Sequence, residues 1–187
     1  HDAEREKMVR EFGKPTLLLR IPVDFESFYQ PVRSAPSRNG QIVLLGIGSL
    51  SPARRFEDII AAGGILLKKG YDAKAILVCK DFWKDDLYKQ RLFDVARQSG
   101  MEQRMIFYFE GVTEKELRGI QRQATVFVFP NHINIWSMSA FESMAAGLPL
   151  IVSRTTSVAE VLVDRRHALF FDPRNVSELA LRIEELI

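Results

Sequence analysis

The sequence carries a single cysteine, Cys79, in 187 residues. An internal disulfide is therefore excluded, and the chain suits a reducing compartment. Long apolar runs are also missing. The stretch 125–129 is typical of the longest, far below the ~20 residues that a membrane span needs. Charge of one sign is scarce too: 26 Lys and Arg stand against 24 Asp and Glu, a net +2. That is too little for the strongly basic face of a nucleic-acid binder. There is no Asp-x-Asp pair and no His/Cys cluster with metal-ligand spacing, so a bound metal is not expected. Internal repeats and low-complexity tracts are absent. The chain opens on His1 without an initiator methionine or a signal-like apolar stretch, which suggests a piece of a longer protein.

What remains is an ordinary globular composition, 47% apolar and 27% charged, of a length that suits one domain. Strand-length apolar runs alternate with helix-length amphipathic ones. Strands are expected over 16–21, 41–46, 73–79, 104–108, 125–129, 148–153 and 168–171. Most are apolar throughout, the pattern of strands covered on both faces. Helices are expected from Pro52 to the Gly70 stop, then over 86–99, 113–121, 138–146, 157–163 and 176–187. Such alternation implies right-handed crossovers and an α/β, Rossmann-like doubly wound parallel sheet. Residues 24–40, with Pro31 and Pro36, read as a surface connection. A charged helix over 3–12, capped by Asp2, precedes the first strand and looks like a linker from an earlier domain. The division is thus a linker helix over 1–14 and one domain over 15–187.

In an open parallel sheet, ligands sit beyond the carboxyl ends of the strands, where helix N-termini offer N–H groups. Two strand-to-helix turns stand out. The first runs from Gly46 through Gly48, Ser49, Ser51 and Pro52 to Arg54 and Arg55. Its glycines and hydroxyls would let backbone N–H groups approach a phosphate, with Arg54 adding charge. The third glycine of the dinucleotide fingerprint is missing, and the same residues would also serve as a plain tight turn with a solvated Arg pair. The second turn, 130–138, mixes Asn131, His132 and Asn134 with Ile135 and Trp136. Ser137 or Ser139 would cap the next helix and direct its N–H groups at an anion. Glu142 follows between Phe141 and Met144. An ionised carboxylate there only accepts hydrogen bonds, so sugar hydroxyls are natural partners, although helix-dipole stabilisation alone would also explain an acid at this place.

The run Phe141-Glu142-Ser143-Met144-Ala145-Ala146-Gly147-Leu148-Pro149, continued to Ser153 and by Val158-Ala159-Glu160-Val161-Leu162, resembles the donor-site signature of glycosyltransferase family four. Ile21-Pro22-Val23-Asp24 with Phe28 and Pro31 resembles that family's lead-in to its C-terminal domain. Gly48 to Arg54 resembles its "GRLSPEK" phosphate turn, and 107–112 the segment beside the nucleotide base. The resemblance implies the C-terminal lobe of a GT-B fold, binding a UDP- or GDP-hexose. It further implies retaining, metal-independent transfer to an acceptor held by an N-terminal lobe, in polysaccharide or glycan biosynthesis. No cofactor is implied beyond the nucleotide sugar itself. By the same resemblance Arg54 and Asn134 take the catalytic positions. Gly48, Ser49, Val112, Trp136, Ser137, Met138 and Glu142 take the donor-binding ones, with Glu142 on the ribose hydroxyls.

This chain departs from the family pattern at two telling places. Asn134 stands eight residues before Glu142, where the family has a first glutamate beside the transferred sugar. Ser49 stands where an arginine is usual, and Arg54 replaces a lysine with a planar fork that is not equivalent to an ammonium. The second reading these departures open is a non-catalytic binding or scaffold module with a decayed site.

His132 suits a backbone-bonded loop, His167 a surface turn and Cys79 a small core position. Phe82 and Trp83 are expected to be buried under the helix over 86–99. Lys68, Lys69, Arg91 and Arg97 read as solvated helix faces. The expected setting is cytoplasmic, and the mild basic excess leaves room for peripheral contact with the inner face of an anionic membrane.

Overall fold

The computed structural model describes residues 2–15, 21–30 and 40–187. The strand expected over 16–21 lies, apart from Ile21, outside the described residues. So do Pro31 and most of the 24–40 connection. Helix α1 (Asp2–Phe12) and the short α2 (Phe25–Phe28) precede six parallel strands: β1 (Ile42–Ser49), β2 (Ala73–Lys80), β3 (Met105–Tyr108), β4 (Val126–Phe129), β5 (Leu150–Ser153) and β6 (Leu169–Phe171). Between and after them run α3 (Phe56–Lys68), α4 (Asp86–Ser99), α5 (Glu114–Gln123), α6 (Met138–Ala145) and α7 (Val176–Leu186). The strand order is β3-β2-β1-β4-β5-β6, the doubly wound order with its reversal between β1 and β4.

Period-two burial builds a core on each face of the sheet. Ile42 and Leu44 of β1 pack with Phe56, Ile59 and Ile60 of α3, Leu92 of α4 and Ile183 of α7. Val43 and Leu45 point the other way and join Phe127, Phe129, Ile120 of α5 and Ala140 of α6. Cys79 is fully buried in the first core, and burial pushes its thiol up to about 12. It is a small core hydrophobe, as expected from its strand. His167 is exposed, and its Nδ1 accepts from the Val163 N–H.

Helix ends follow local chemistry. Asp85 accepts from the Tyr88 N–H at the start of α4, and Gly100 closes that helix in the left-handed region. Thr113 and Glu116 form a reciprocal capping box on α5.

The structure corrects four readings. The helix expected from Pro52 begins instead as a 3-10 turn (Pro52–Arg54), and α3 starts only after Arg55, which sits at φ 55, ψ 39. A left-handed arginine costs about 1–2 kcal/mol. Its guanidinium offsets this by pairing with Glu57 at 3.0 Å and Asp58 at 2.6 Å. Gly48 and Ser49 belong to β1 rather than to the turn, because their pairing with β2 continues to Ser49↔Lys80. Residues 157–163 form successive turns, with N–H groups of Ala159, Glu160 and Val161 each bonded three residues back. β-Branched Thr155, Thr156, Val158, Val161 and Val163 disfavour the wider helix there. Phe82 and Trp83 are 61% and 68% exposed, not buried. Asp81 accepts from the Trp83 and Asp85 N–H groups and turns the loop outward, while Tyr88, Leu92 and Ala96 fill the inner face of α4.

Helices α3 and α4 approach closely at Gly64, where an added Cβ would lie 2.6 Å from Ser99 Cβ and 2.7 Å from Ser99 O. Backbone there cannot yield as a side-chain tip can. Gly64→Val is therefore expected to destabilise the fold by about 1–3 kcal/mol, read as a lower urea midpoint. An unchanged midpoint would mean that the two helices can slide apart freely.

Candidate functional site

The reversal of strand order leaves a crevice at the carboxyl end of β1 and β4. These strands pair only at Leu44↔Val126 and Leu45↔Phe127, whereas β1 stays paired with β2 to its end. Past Leu45 the end of β1 therefore stands apart from β4. Residues Gly48 and Ser49 form one wall with the 3-10 turn behind them, and the loop after β4 forms the other. Two contacts cross the gap: the His132 N–H donates to Ala53 O at 3.4 Å, and Ser139 Oγ donates to Ile47 O at 3.5 Å.

Two adjacent arginines have opposite fates here. Arg55 is held by Glu57 and Asp58, and Tyr88 fixes the same corner. Its hydroxyl accepts from the Phe56 N–H at 3.1 Å and donates to Glu57 Oε2 at 2.5 Å. Burial is the main cause that raises the Asp58 carboxyl, opposed by Arg55. Arg54 has no carboxylate partner among the described residues. It lies over Gly48, where an added Cβ would meet Arg54 Nε at 3.1 Å. Burial alone lowers its guanidinium below the ordinary arginine value. A partly buried cation without a counterion is poised for an anion.

The facing loop is polar at depth. Asn131 is 1% exposed, and neither its Nδ2 nor the buried His132 Nδ1 has a hydrogen-bond partner among the described residues. His132 is thus bonded to the neighbouring turn through its backbone, as expected, while its ring stays uncommitted. Ser137 occupies the N-cap position of α6 but does not cap it; its Oγ instead shares a 2.8 Å hydrogen bond with Ser139 Oγ. The expected side-chain cap is therefore absent at Ser137. Met138 begins the helix, and Trp136 stacks on Phe141 with ring centroids 4.8 Å apart. Asn134 is exposed, and its Oδ1 accepts from Ser157 Oγ. That bond joins the loop after β4 to the loop after β5.

Glu142 lies half-buried on α6. Burial, and secondarily the charge of Glu114, raises its carboxyl above the ordinary range. No described side chain donates to it. Val112 packs on the second core and lines an open surface cavity of about 290 Å³ with Lys80, Glu110, Gly111, Thr113 and Glu116. Ser49, the last residue of β1, is in register with Lys80, so β2 connects that cavity to the crevice.

The anticipated residues thus fall into three neighbouring groups. Gly48, Ser49 and Arg54 form one wall, Asn134, Trp136, Ser137 and Met138 the other with Glu142 one turn further along α6, and Val112 lies at the β3–α5 turn. Sequence reasoning missed two residues. Lys80 ends a strand that also carries Lys74, so a terminal lysine gave little signal. Ser157 opens a stretch whose apolar spacing suits a helix, which hides its bond to Asn134. Asn131, a polar residue just past Pro130 in the second turn, was legible in the sequence.

Among the described residues, no helix is long and apolar enough to cross a membrane. Residues 32–187 match the family described as "Glycosyl transferases group 1". The mannosylfructose-phosphate synthase of Agrobacterium fabrum is 25% identical over 155 residues, covering 81% of this chain and 34% of that protein. This chain therefore spans about a third of that relative's length. Among solved structures, the C-terminal domain of the group 1 family protein LpcC from Francisella tularensis aligns with TM-score 0.71 at 21% identity. That alignment covers 88% of this chain and 87% of LpcC's solved domain. The Anabaena protein HepE, solved in complex with UDP, aligns with TM-score 0.82 at 17% identity, covering 98% of this chain and 51% of HepE. At these identities the likeness establishes the fold.

The raised carboxyl of Glu142 has a stability consequence. The folded chain keeps that proton to higher pH than the unfolded chain, so stability falls as pH rises through the window between the two values. Glu142→Gln removes the buried charge. Its unfolding free energy is expected to exceed that of the parent chain at pH 7 and to match it below about pH 4, where both side chains are neutral. Urea titrations at the two pH values check this. An equal gain at both would assign the effect to packing.

Proposed function

Because this chain belongs to the glycosyl transferases group 1 family, we propose that it is the donor-binding lobe of a glycosyltransferase and takes a nucleoside-diphosphate sugar, UDP- or GDP-linked, into the β1–β4 crevice. The observation that carries this reading is Arg54, a partly buried guanidinium lying over Gly48 with no acidic partner among the described residues. Transfer from such a donor develops negative charge on the leaving diphosphate and positive character at the anomeric carbon. Stabilising the leaving group is chiefly electrostatic. In this reading Arg54 faces the diphosphate, together with the backbone N–H groups of Ser49 and of the first turn of α6, which Ser137 leaves without a side-chain cap. Charge neutralisation by arginine and helix N–H groups supports a transfer that needs no metal ion.

The remaining roles follow from chemistry and position. Glu142 accepts from the ribose hydroxyls, which provide the donors that its half-buried carboxylate lacks. The base lies by Val112 and the cavity beside Lys80. The sugar lies against Asn134, Trp136 and Met138. The acceptor comes from an N-terminal lobe across the crevice, and the product keeps the donor's anomeric configuration. Cytoplasmic placement, with peripheral contact at the inner face of a membrane, completes the proposal. A second reading, a non-catalytic binding module, is favoured by one observation: Ser49 and Asn134 put no charge into the crevice where a charged pair would drive chemistry.

A thermal-shift series with UDP, GDP, ADP, CDP and dTDP, with and without Mg²⁺, tests the proposal. A ligand at a hundred times its dissociation constant adds about 2.7 kcal/mol, which for this size raises Tm by roughly 5–10 °C. The expected result is a metal-independent rise with UDP or GDP that Arg54→Gln reduces at least tenfold in affinity and Glu142→Ala also weakens. No rise with any nucleotide would overturn the donor-lobe reading. Binding without sugar transfer by the full-length protein would favour the binding module.

A further inference from the structure

We infer that the base of the donor is guanine, read by Glu110 and Lys80. This rests on the proposed donor site and narrows its nucleotide from two candidates to one. The starting point is the open cavity of about 290 Å³ at the β3–α5 turn, lined by Lys80, Glu110, Gly111, Val112, Thr113 and Glu116. That volume is at the lower end of small-ligand pockets and gives room for one base. Lys80 is the last residue of β2, and Glu110 follows the end of β3 by two residues. The Asp81 N–H donates to Phe109 O at 2.8 Å, which ties the two strand ends together beside these residues. Gly111 turns the chain at φ 79, and a Cβ there would lie 3.2 Å from Lys80 Cδ. The lysine stem therefore runs across the glycine, and its ammonium lies 5.1 Å from the centroid of the exposed Phe82 ring.

Lys80 and Glu110 line one cavity, yet they form no ion pair with each other or with any other described residue. Both are exposed and open to a ligand. The neighbouring charges are already engaged. Asp81 pairs with Lys89 at 2.7 Å, and Glu114 pairs with Arg118. Glu116 gives one carboxylate oxygen to the Thr113 N–H and hydroxyl, and Lys115 does not line the cavity. What the cavity presents is thus one donor, Lys80, beside an acid with both oxygens free, Glu110, and a second acid fixed at the helix start.

Donor and acceptor patterns separate the bases. Guanine offers O6, N1–H and its N2 amino group side by side. A carboxylate takes N1–H and an N2 hydrogen together, as it takes an arginine fork, while O6 accepts from Lys80. Uracil has a carbonyl on each side of its single N–H, so a carboxylate that takes this N–H also faces a carbonyl oxygen. Adenine and cytosine place an amino group beside an unprotonated ring nitrogen and give a carboxylate one bond. Two acids and one cation therefore favour guanine over the other common bases. Both Glu110 and Lys80 touch substrate in this scheme.

Calorimetric titration of the chain with GDP, UDP, inosine diphosphate and xanthosine diphosphate tests this. Hypoxanthine lacks the N2 amino group of guanine, and xanthine carries a carbonyl in its place. GDP is expected to bind about tenfold tighter than UDP or inosine diphosphate, the size of one hydrogen bond to a charged group. Xanthosine diphosphate is expected to bind most weakly. Glu110→Gln is expected to remove the preference for GDP over inosine diphosphate. The same variant is expected to raise the affinity for xanthosine diphosphate, because an amide keeps an acceptor for N1–H and offers a donor to the new carbonyl. Lys80→Met, which keeps a stem against Gly111, is expected to weaken GDP and inosine diphosphate alike, since both carry O6. A loss of folding would weaken every nucleotide and cannot produce a gain with xanthosine diphosphate. A GDP affinity no greater than that for UDP or inosine diphosphate overturns the inference and leaves the donor-lobe reading standing. So does a GDP preference that Glu110→Gln leaves unchanged. If no nucleoside diphosphate binds, both readings fall.

Discussion

The site depends on how briefly β1 and β4 pair. Two residue pairs, Leu44↔Val126 and Leu45↔Phe127, hold these central strands together, while β1 continues beside β2 for four residues more. Sheet hydrogen bonding fixes the floor of the molecule below this point and leaves its carboxyl edge open above it. Ile47 O then takes its bond from Ser139 Oγ, a side chain on α6, and not from a neighbouring strand. The crevice is thus a place where backbone groups of the sheet are answered by a loop and a helix. Polar side chains are consequently required at its walls, and Asn131, Asn134, Ser137 and Ser139 are what the chain supplies.

Strand register alone would leave the 3-10 turn free to move, and the Arg55 corner prevents this. Arg55 and, on α4, Arg91 and Tyr88 surround Glu57 and Asp58, a set of contacts that takes up two cations and two acids. Arg54, the neighbour of Arg55, is left out of that set. Two residues of the same type and adjacent in sequence are divided by the left-handed turn at Arg55, which sends one guanidinium into the structural corner and the other over Gly48. Rigidity of the corner and availability of the second cation are therefore two results of one backbone conformation.

Much of this was legible in the sequence. The apolar runs located six strands because parallel strands covered on both faces carry their burial in local composition. The α/β class and most of the helices followed from that pattern, and the run around Glu142 falls on α6, the helix that follows β4. Other features were not legible, for physical reasons. Whether Arg54 or Arg55 would be paired depends on a single φ angle that arginine rarely adopts. The tie between Ser157 and Asn134 spans 23 residues and has no local signature. The 157–163 stretch has apolar residues at helical spacing, yet its β-branched residues favour tighter turns. Phe82 and Trp83 looked like core by type, but the geometry set by Asp81 decided their direction.

Cys79 has a practical corollary. Its thiol is enclosed in the first core and pushed up to about 12, so at neutral pH it holds its proton and is shielded from reagents. Within these 187 residues there is no competing sulfhydryl. A cysteine introduced at an exposed position such as Ile133, on the crevice rim, would take a maleimide dye or spin label alone. The wild-type background thus already has the chemical silence that site-specific spectroscopy usually has to engineer.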